Sequence, residues 1–177
     1  KGIQELASPT LPGGPCDVIV DDITYITEPF LRDGVVAQTV DQVAAQGVTY
    51  FFFFFNFGKQ SYESVFTGVT NSSVIATGQI HRYGSTAADI YQSVNLKPGS
   101  YTIVLQWSDE FSSLGSATGV QNKKNIYLLG ANGFTLFGFN RSNLFGDPFE
   151  VCPFTVEQET NAKIMVVRAA GTSNVRF

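Results

Sequence analysis

Patterning along this chain predicts a mainly β protein, an antiparallel β-sandwich or jelly roll preceded by one βαβ-like unit. After residue 60, seven short apolar segments are separated by turn-forming residues at hairpin-like spacing. Before it, a β-branched run, an amphipathic stretch and a second apolar run follow one another within about 40 residues. The composition agrees, because 17 glycines, 16 phenylalanines and 7 tyrosines among 177 residues suit a β-rich chain with many turns. The expected organisation is a first part, residues 1–60, and a β-sandwich domain, residues 61–177.

In the first part, a Pro/Gly-rich opening (Pro9 to Pro15) leads into Asp17-Val18-Ile19-Val20-Asp21-Asp22, whose Val-Ile-Val centre suits a buried strand. Thr27-Glu28-Pro29 reads as a helix entry, with threonine as cap and proline in the first turn. Leu31, Val35, Val36, Val40, Val43 and Ala44 recur at three- and four-residue spacing, which predicts an amphipathic helix of roughly five turns, closed by Gly47. Val48 to Phe55 follows as a second buried strand. Strand, helix and strand in this order imply parallel pairing. The run Phe51, Phe52, Phe53, Phe54 and Phe55 sets a condition of its own. Successive side chains of a strand alternate, so five phenylalanines present bulk on both faces and both faces need cover. These five residues are therefore candidate assembly contacts.

In the second part the predicted strands are Val74 to Ile80, Asp89 to Leu96, Tyr101 to Trp107, Asn125 to Gly130, Phe134 to Phe139, Glu150 to Val156 and Ala162 to Ala169. Lys97-Pro98-Gly99-Ser100, Ala131-Asn132-Gly133 and Gly146-Asp147-Pro148 supply turns. Tyr101, Ile103, Leu105 and Trp107 fall on one face of their strand. No helix is expected after residue 60.

Charge excludes one class of function. The net charge is −4, with a sequence pI near 4.9 and no basic cluster longer than Lys123-Lys124, so nucleic acid is not an expected partner. No run of about 18 apolar residues is present, so no membrane span is expected. The chain opens at Lys1 without a methionine or a signal-like segment, and reads as a mature product or a piece of a longer precursor. Cys16 and Cys152 either form one disulfide or remain two buried thiols, and spacing leaves both open. Asn71-Ser72-Ser73 and Asn140-Arg141-Ser142 match the glycosylation sequon.

The stretch from Asp17 to Asp22, the helix Val36-Ala37-Gln38-Thr39-Val40-Asp41-Gln42-Val43-Ala44-Ala45-Gln46-Gly47-Val48, and Asn56 with Gly58 resemble the middle of a subtilisin-like serine protease (subtilase, peptidase S8). In that family the second strand ends in Ser-Ala-Gly-Asn, whose asparagine donates to the oxyanion of the acyl-transfer intermediate. Asn56 matches that asparagine and is a candidate oxyanion-hole remnant, while Phe53, Phe54 and Phe55 stand where Ser, Ala and Gly are expected. The resemblance also implies that the edge after the first strand lines a substrate cleft, with Ile23, Thr24 and Tyr25 as candidate backbone contacts. The second part resembles the pre-peptidase C-terminal β-sandwich that some secreted bacterial subtilases carry. Asn125-Ile126-Tyr127-Leu128-Leu129 followed by Ala131-Asn132-Gly133 resembles its central hairpin, and Tyr101 to Trp107 and Ala162 to Arg168 resemble two further strands.

The catalytic constellation is incomplete. Acyl transfer by serine needs a nucleophile, a histidine base and an acid that orients the base. The single histidine, His81, lies in the predicted sandwich outside any His-Gly-Thr context. Gly171-Thr172-Ser173 resembles the nucleophile turn, but Asn174-Val175-Arg176-Phe177 follow it in place of the family's small residues and proline. A turn between two edge strands is the expected role. No cofactor is expected. Calcium is the one metal considered, with Asp109, Glu110, Asp147 and Glu150 as candidate oxygen ligands, although Lys123 and Lys124 oppose a cation in the matching hairpin.

The expected function is a non-catalytic, secreted or cell-surface β-sandwich module of subtilase descent. It would be an inactive homologue with a structural or assembly role, such as a strand-donating subunit of a filament. Its expected partners are copies of itself or the remainder of a protease precursor. The alternative is a fragment or accessory region of a secreted subtilisin-like endopeptidase whose Asp, His and Ser lie elsewhere in the precursor. Carbohydrate binding through exposed Trp107, Tyr91 or Tyr127 is a third class.

Overall fold

The structure, a computed structural model, describes residues 1–10, 13–53 and 60–177. The chain is mainly β and forms two compact units, residues 1–62 and 63–177.

The first unit holds helix α1 (Gly2–Leu6), strand β1 (Val18–Asp21), helix α2 (Val35–Ala45) and strand β2 (Thr49–Phe52). Sequence patterning assigned no element to α1. β1 and β2 pair in parallel, with Ile19 opposite Tyr50 and Val20 opposite Phe51. Ile19, Tyr50 and Val48 share one side with Val43 of α2, and Ala7, Ile3 and Cys16 close this small core.

The helix is shorter than its periodicity suggests. It spans 11 residues and starts after Gly34, whereas Thr27-Glu28-Pro29 lies in turns. The reason is local. The Glu28 carboxylate accepts the backbone N–H of Val36 at 3.1 Å, so it caps the helix from eight residues upstream instead of sitting in its first turn. Gly34 makes this approach feasible, since a Cβ there would lie 2.2 Å from Glu28 Oε2. Gly47, at φ +94, ends the helix as expected.

The second unit contains β3 (Gly68–Val69), β4 (Gln79–His81), β5 (Gln92–Leu96), β6 (Gly99–Gln106), β7 (Lys124–Gly130), β8 (Thr135–Phe139), β9 (Phe149–Val156) and β10 (Thr160–Arg168). Seven of these fall on or within one or two residues of the predicted strands, with β4 restricted to the end of its segment. Gly78, at φ +93, breaks the stretch that precedes it. Among the described residues after 60, the only helical element is one 3-10 turn, Ser112–Leu114.

One sheet has the order β3-β4-β10-β7-β8, with β5 pairing the first half of β10, and the other sheet is the pair β6-β9. All pairings in this unit's sheets are antiparallel. The larger sheet's inner face packs on β6-β9. Leu105 and Trp107 meet Ile126 and Val166, while Cys152 and Phe154 meet Leu128 and Ala162. Its outer face carries a second apolar cluster, Ile80, Ile90, Leu129, Met165 and Val167.

Only one of the three predicted turns closes a hairpin. Ala131-Asn132-Gly133 joins β7 to β8, and Gly133 supplies the φ of +83 that this turn requires. Lys97-Pro98-Gly99-Ser100 instead carries the chain from β5 in the large sheet to β6 in the small one, and Gly146-Asp147-Pro148 returns it from the β8 side to β9. A turn signal reports that the chain reverses, not which partner the next strand takes. The C-terminal residues bridge back antiparallel to Ser64-Val65-Phe66, and Gly171-Thr172-Ser173 lies in the irregular connection between β10 and that bridge.

Candidate functional site

The carboxyl end of the parallel pair carries a polar cluster built on Asp21. Ile19 and Tyr50 are in register, which sets the Tyr50 side chain on the side of the sheet shared by Ile19 and Asp21. Asp21 Oδ1 accepts the Ile23 N–H at 3.1 Å, and Oδ2 accepts the Tyr25 hydroxyl at 2.9 Å and the Tyr50 hydroxyl through a short bond. Burial, reinforced by the Asp21 carboxylate, raises the pKa of both phenols. Both tyrosines are thereby held protonated as donors.

Ile23, Thr24 and Tyr25, the candidate backbone contacts, follow β1 outside any strand. The segment folds back on Asp21, leaving Ile23 and Thr24 exposed and the Tyr25 hydroxyl committed to the carboxylate. The link between Asp21 and Tyr50 escaped the sequence because it spans 29 positions and depends on strand register.

The second face of β1-β2 is open. Val20 is 75 % exposed and Phe51 57 % exposed, flanked by Val18 and by Phe53 at the end of β2. Phe52 is exposed as well. Among the described residues, the expected cover on both faces of the phenylalanine run is missing at Phe51 and Phe52. Helix α2 supplies a single layer, and no other described strand pairs with β1 or β2. Phe54, Phe55 and Asn56 lie outside the described residues.

The second unit holds its polar groups inside. Asp109 is 8 % exposed, and its oxygens accept from Trp107 Nε1 at 3.3 Å, Gln121 N at 2.8 Å, Asn122 N at 2.6 Å and Asn122 Nδ2 at 2.8 Å. Asn122 Oδ1 in turn accepts the Ser173 N–H, so one carboxylate organises two loops and the C-terminal turn. Lys124 projects from β7 into the core, fully buried. Its ammonium stands 4.5 Å from the Phe66 ring centroid and 6.0 Å from that of Trp107. Burial pulls its pKa down to about 8, against the attraction of Asp109. The Arg168 guanidinium lies 5.0 Å from the centroid of the same Phe66 ring, and donates to Ser173 O, Asn174 Oδ1 and Gln79 Oε1.

His81 is buried beside this cluster. Its Nδ1 accepts the Thr67 N–H at 3.1 Å, and its ring stands edge-on to Tyr83 and Phe177. Burial first, then Lys124 and Arg82, lower its pKa to about 4, so it is neutral at neutral pH. It is a packed core histidine.

The candidate calcium ligands are not brought together. Asp109 is saturated as described, Asp147 accepts the Ser113 N–H at 2.9 Å, Glu110 is exposed, and Glu150 points inward from β9 to accept Asn143 Nδ2 at 3.2 Å. No group of three or more metal-ligating side chains forms among the described residues. Burial raises the Glu150 pKa to about 6, partly offset by Arg141 and Lys123.

Cys16 and Cys152 are free thiols in different units. Cys152 is packed among Leu128, Phe154 and Ala162 in the core of the second unit, and no disulfide joins it to Cys16 in this structure. Trp107, one of the three aromatics considered for carbohydrate binding, is 1 % exposed and lies in the core. Tyr91 and Tyr127 are half-buried on the outer face of the large sheet.

No protein-family model, curated protein or solved structure matches this chain.

Proposed function

We propose that this chain is a non-catalytic assembly module of a secreted or cell-surface protein, in which the first unit is completed by sheet or strand from another polypeptide. One observation carries the reading: the apolar face formed by Val18, Val20, Phe51 and Phe53 is exposed on a sheet of two strands. A two-stranded sheet with one helical layer is marginal alone, and burying such a face against further strands is a strong drive to association. A second copy is the proposed partner, in a strand-donating polymer. The buried, neutral His81 supports a role without acyl-transfer chemistry.

Sedimentation across a wide concentration range tests this. Reversible self-association is expected, and it is lost in Val20→Lys and Phe51→Lys, which place charges on the open face. A chain that stays a folded monomer at near-millimolar concentration overturns the assembly role.

The parallel order of β1 and β2 favours one second reading, a segment of a subtilisin-like endopeptidase whose remaining sheet lies elsewhere in a precursor. Material from the native source distinguishes the two. A mass near 19.3 kDa without fluorophosphonate labelling supports the assembly module, and labelling of a larger species supports the protease.

A further inference from the structure

The free edges of the large sheet are not alike. β3 is only two residues long, and β5 exposes Gln92, Ser93 and Asn95. Short or polar edges resist pairing with another chain. β8 has neither protection. Four of its five residues are exposed, Leu136 at 46 %, and Phe134 just before it is 74 % exposed. No charged residue stands between Lys124 and Arg141, so the whole β7-β8 hairpin lacks the charges that keep an apolar edge away from other strands. The strand is nonetheless anchored. The Phe137 ring lies 5.4 Å from that of Phe154, and Phe139 packs on the inner core.

These features select the kind of strand that fits beside β8. A charge set opposite Phe134 or Leu136 would be desolvated without a partner, so the fitting strand is neutral and apolar. This chain contains one. β2 belongs to a stretch, residues 42–58, that carries no charge. It pairs with β1 along one edge, and no other described strand pairs with it.

We infer that β8 of one copy adds to the free edge of β2 in the next copy, as the third strand of its first unit. One contact then pairs both unguarded edges and sets Phe134 and Leu136 beside the exposed phenylalanines of β2, with no like charges opposed. β8 paired with its own counterpart in a second copy would leave β1-β2 as open as before. The inference rests on the assembly reading above and gives it a direction. The donor edge lies in the second unit and the acceptor in the first, so the contact is heterologous and can repeat from copy to copy.

Sedimentation of two full-length variants tests it, Leu136→Lys to charge β8 and Phe51→Lys to charge β2. Each alone should remain a monomer at concentrations where the wild type assembles. Mixed in equal amounts, they should form a dimer and nothing larger, because each pair retains one intact β8 and one intact β2. Should Leu136→Lys fail to fold, Phe134→Lys at the more exposed position replaces it. A mixture that stays monomeric or grows beyond a dimer overturns the inference, as does Leu136→Lys that assembles like the wild type, and all three leave assembly through the first unit standing. Dimers of Phe51→Lys alone would mean that β8 pairs with itself, and they also overturn it. A wild type that remains a monomer removes the assembly reading itself.

Discussion

The ammonium of Lys124 stands 4.5 Å from the centroid of the Phe66 ring, and both side chains are fully buried. No hydrogen-bond acceptor meets its Nζ among the described residues. The charge is held by aromatic faces and by the field of Asp109, an arrangement that costs stability relative to an apolar side chain of the same length.

Lys124→Met is accordingly expected to stabilise the second unit by about 1–4 kcal/mol at neutral pH. The wild type carries a second signature. With the folded pKa near 8 and the unfolded value at 10.5, the unfolded chain binds the extra proton between these limits, so this group makes stability rise as pH increases from 8 to 10.5. Denaturant melts across that window should show the rise in wild type and its disappearance in Lys124→Met.

His81 titrates in the opposite region. Its folded pKa near 4 lies below the unfolded 6.5, so the unfolded chain binds more protons between these values and stability falls as pH drops from 6.5 to 4. As the chain's one histidine, it gives a single imidazole Hε1 resonance in proton NMR. That resonance should stay at its neutral position from pH 8 down to about 5.5.

Glu150 moves the other way across an overlapping window. Its folded pKa of about 6 exceeds the unfolded 4.5, so its contribution is full below pH 4.5 and is lost as pH rises through 6. Glu150→Gln keeps the acceptor for Asn143 and removes the buried charge. A gain of roughly 2 kcal/mol at pH 7.5 is expected, shrinking to nothing near pH 4, as read by chemical denaturation at both pH values.

Asp109 clasps Trp107, Gln121 and Asn122 together. Asp109→Ala strands the Trp107 indole N–H and the backbone N–H groups of Gln121 and Asn122. A loss of at least about 3 kcal/mol is expected from these unmatched donors together. Millimolar calcium should leave the wild-type melting temperature unchanged, because the oxygens of Asp109 are already occupied.

Much of the sandwich was legible along the chain. Tyr101, Ile103, Leu105 and Trp107 alternate towards the core as their period requires, and Ala131-Asn132-Gly133 reverses the chain where a φ of +83 is needed. The candidate sites were far less legible. Glu28 lies next to a proline, as a first-turn residue would, yet its carboxylate acts on Val36. Asp109 carries the appearance of a loop carboxylate, and the spacing of Cys152 suits a disulfide and a buried thiol alike. Each was decided by what surrounds it in the core, which residue type and spacing do not encode.

The sequence by itself determined that this chain is mainly β, where most strands of its second unit lie, and that β1, α2 and β2 follow in an order that demands parallel pairing. Those properties are local, set by side-chain alternation, helical period and the φ preferences of glycine and proline. Only the tertiary structure decided that Lys97 to Ser100 crosses between sheets, that Lys124, His81 and Glu150 are buried with shifted protonation, and that one face of β1-β2 stays open. Strand partnership and desolvation arise from contacts between residues far apart in the chain, and their energies exist only once the sheets have closed on one another.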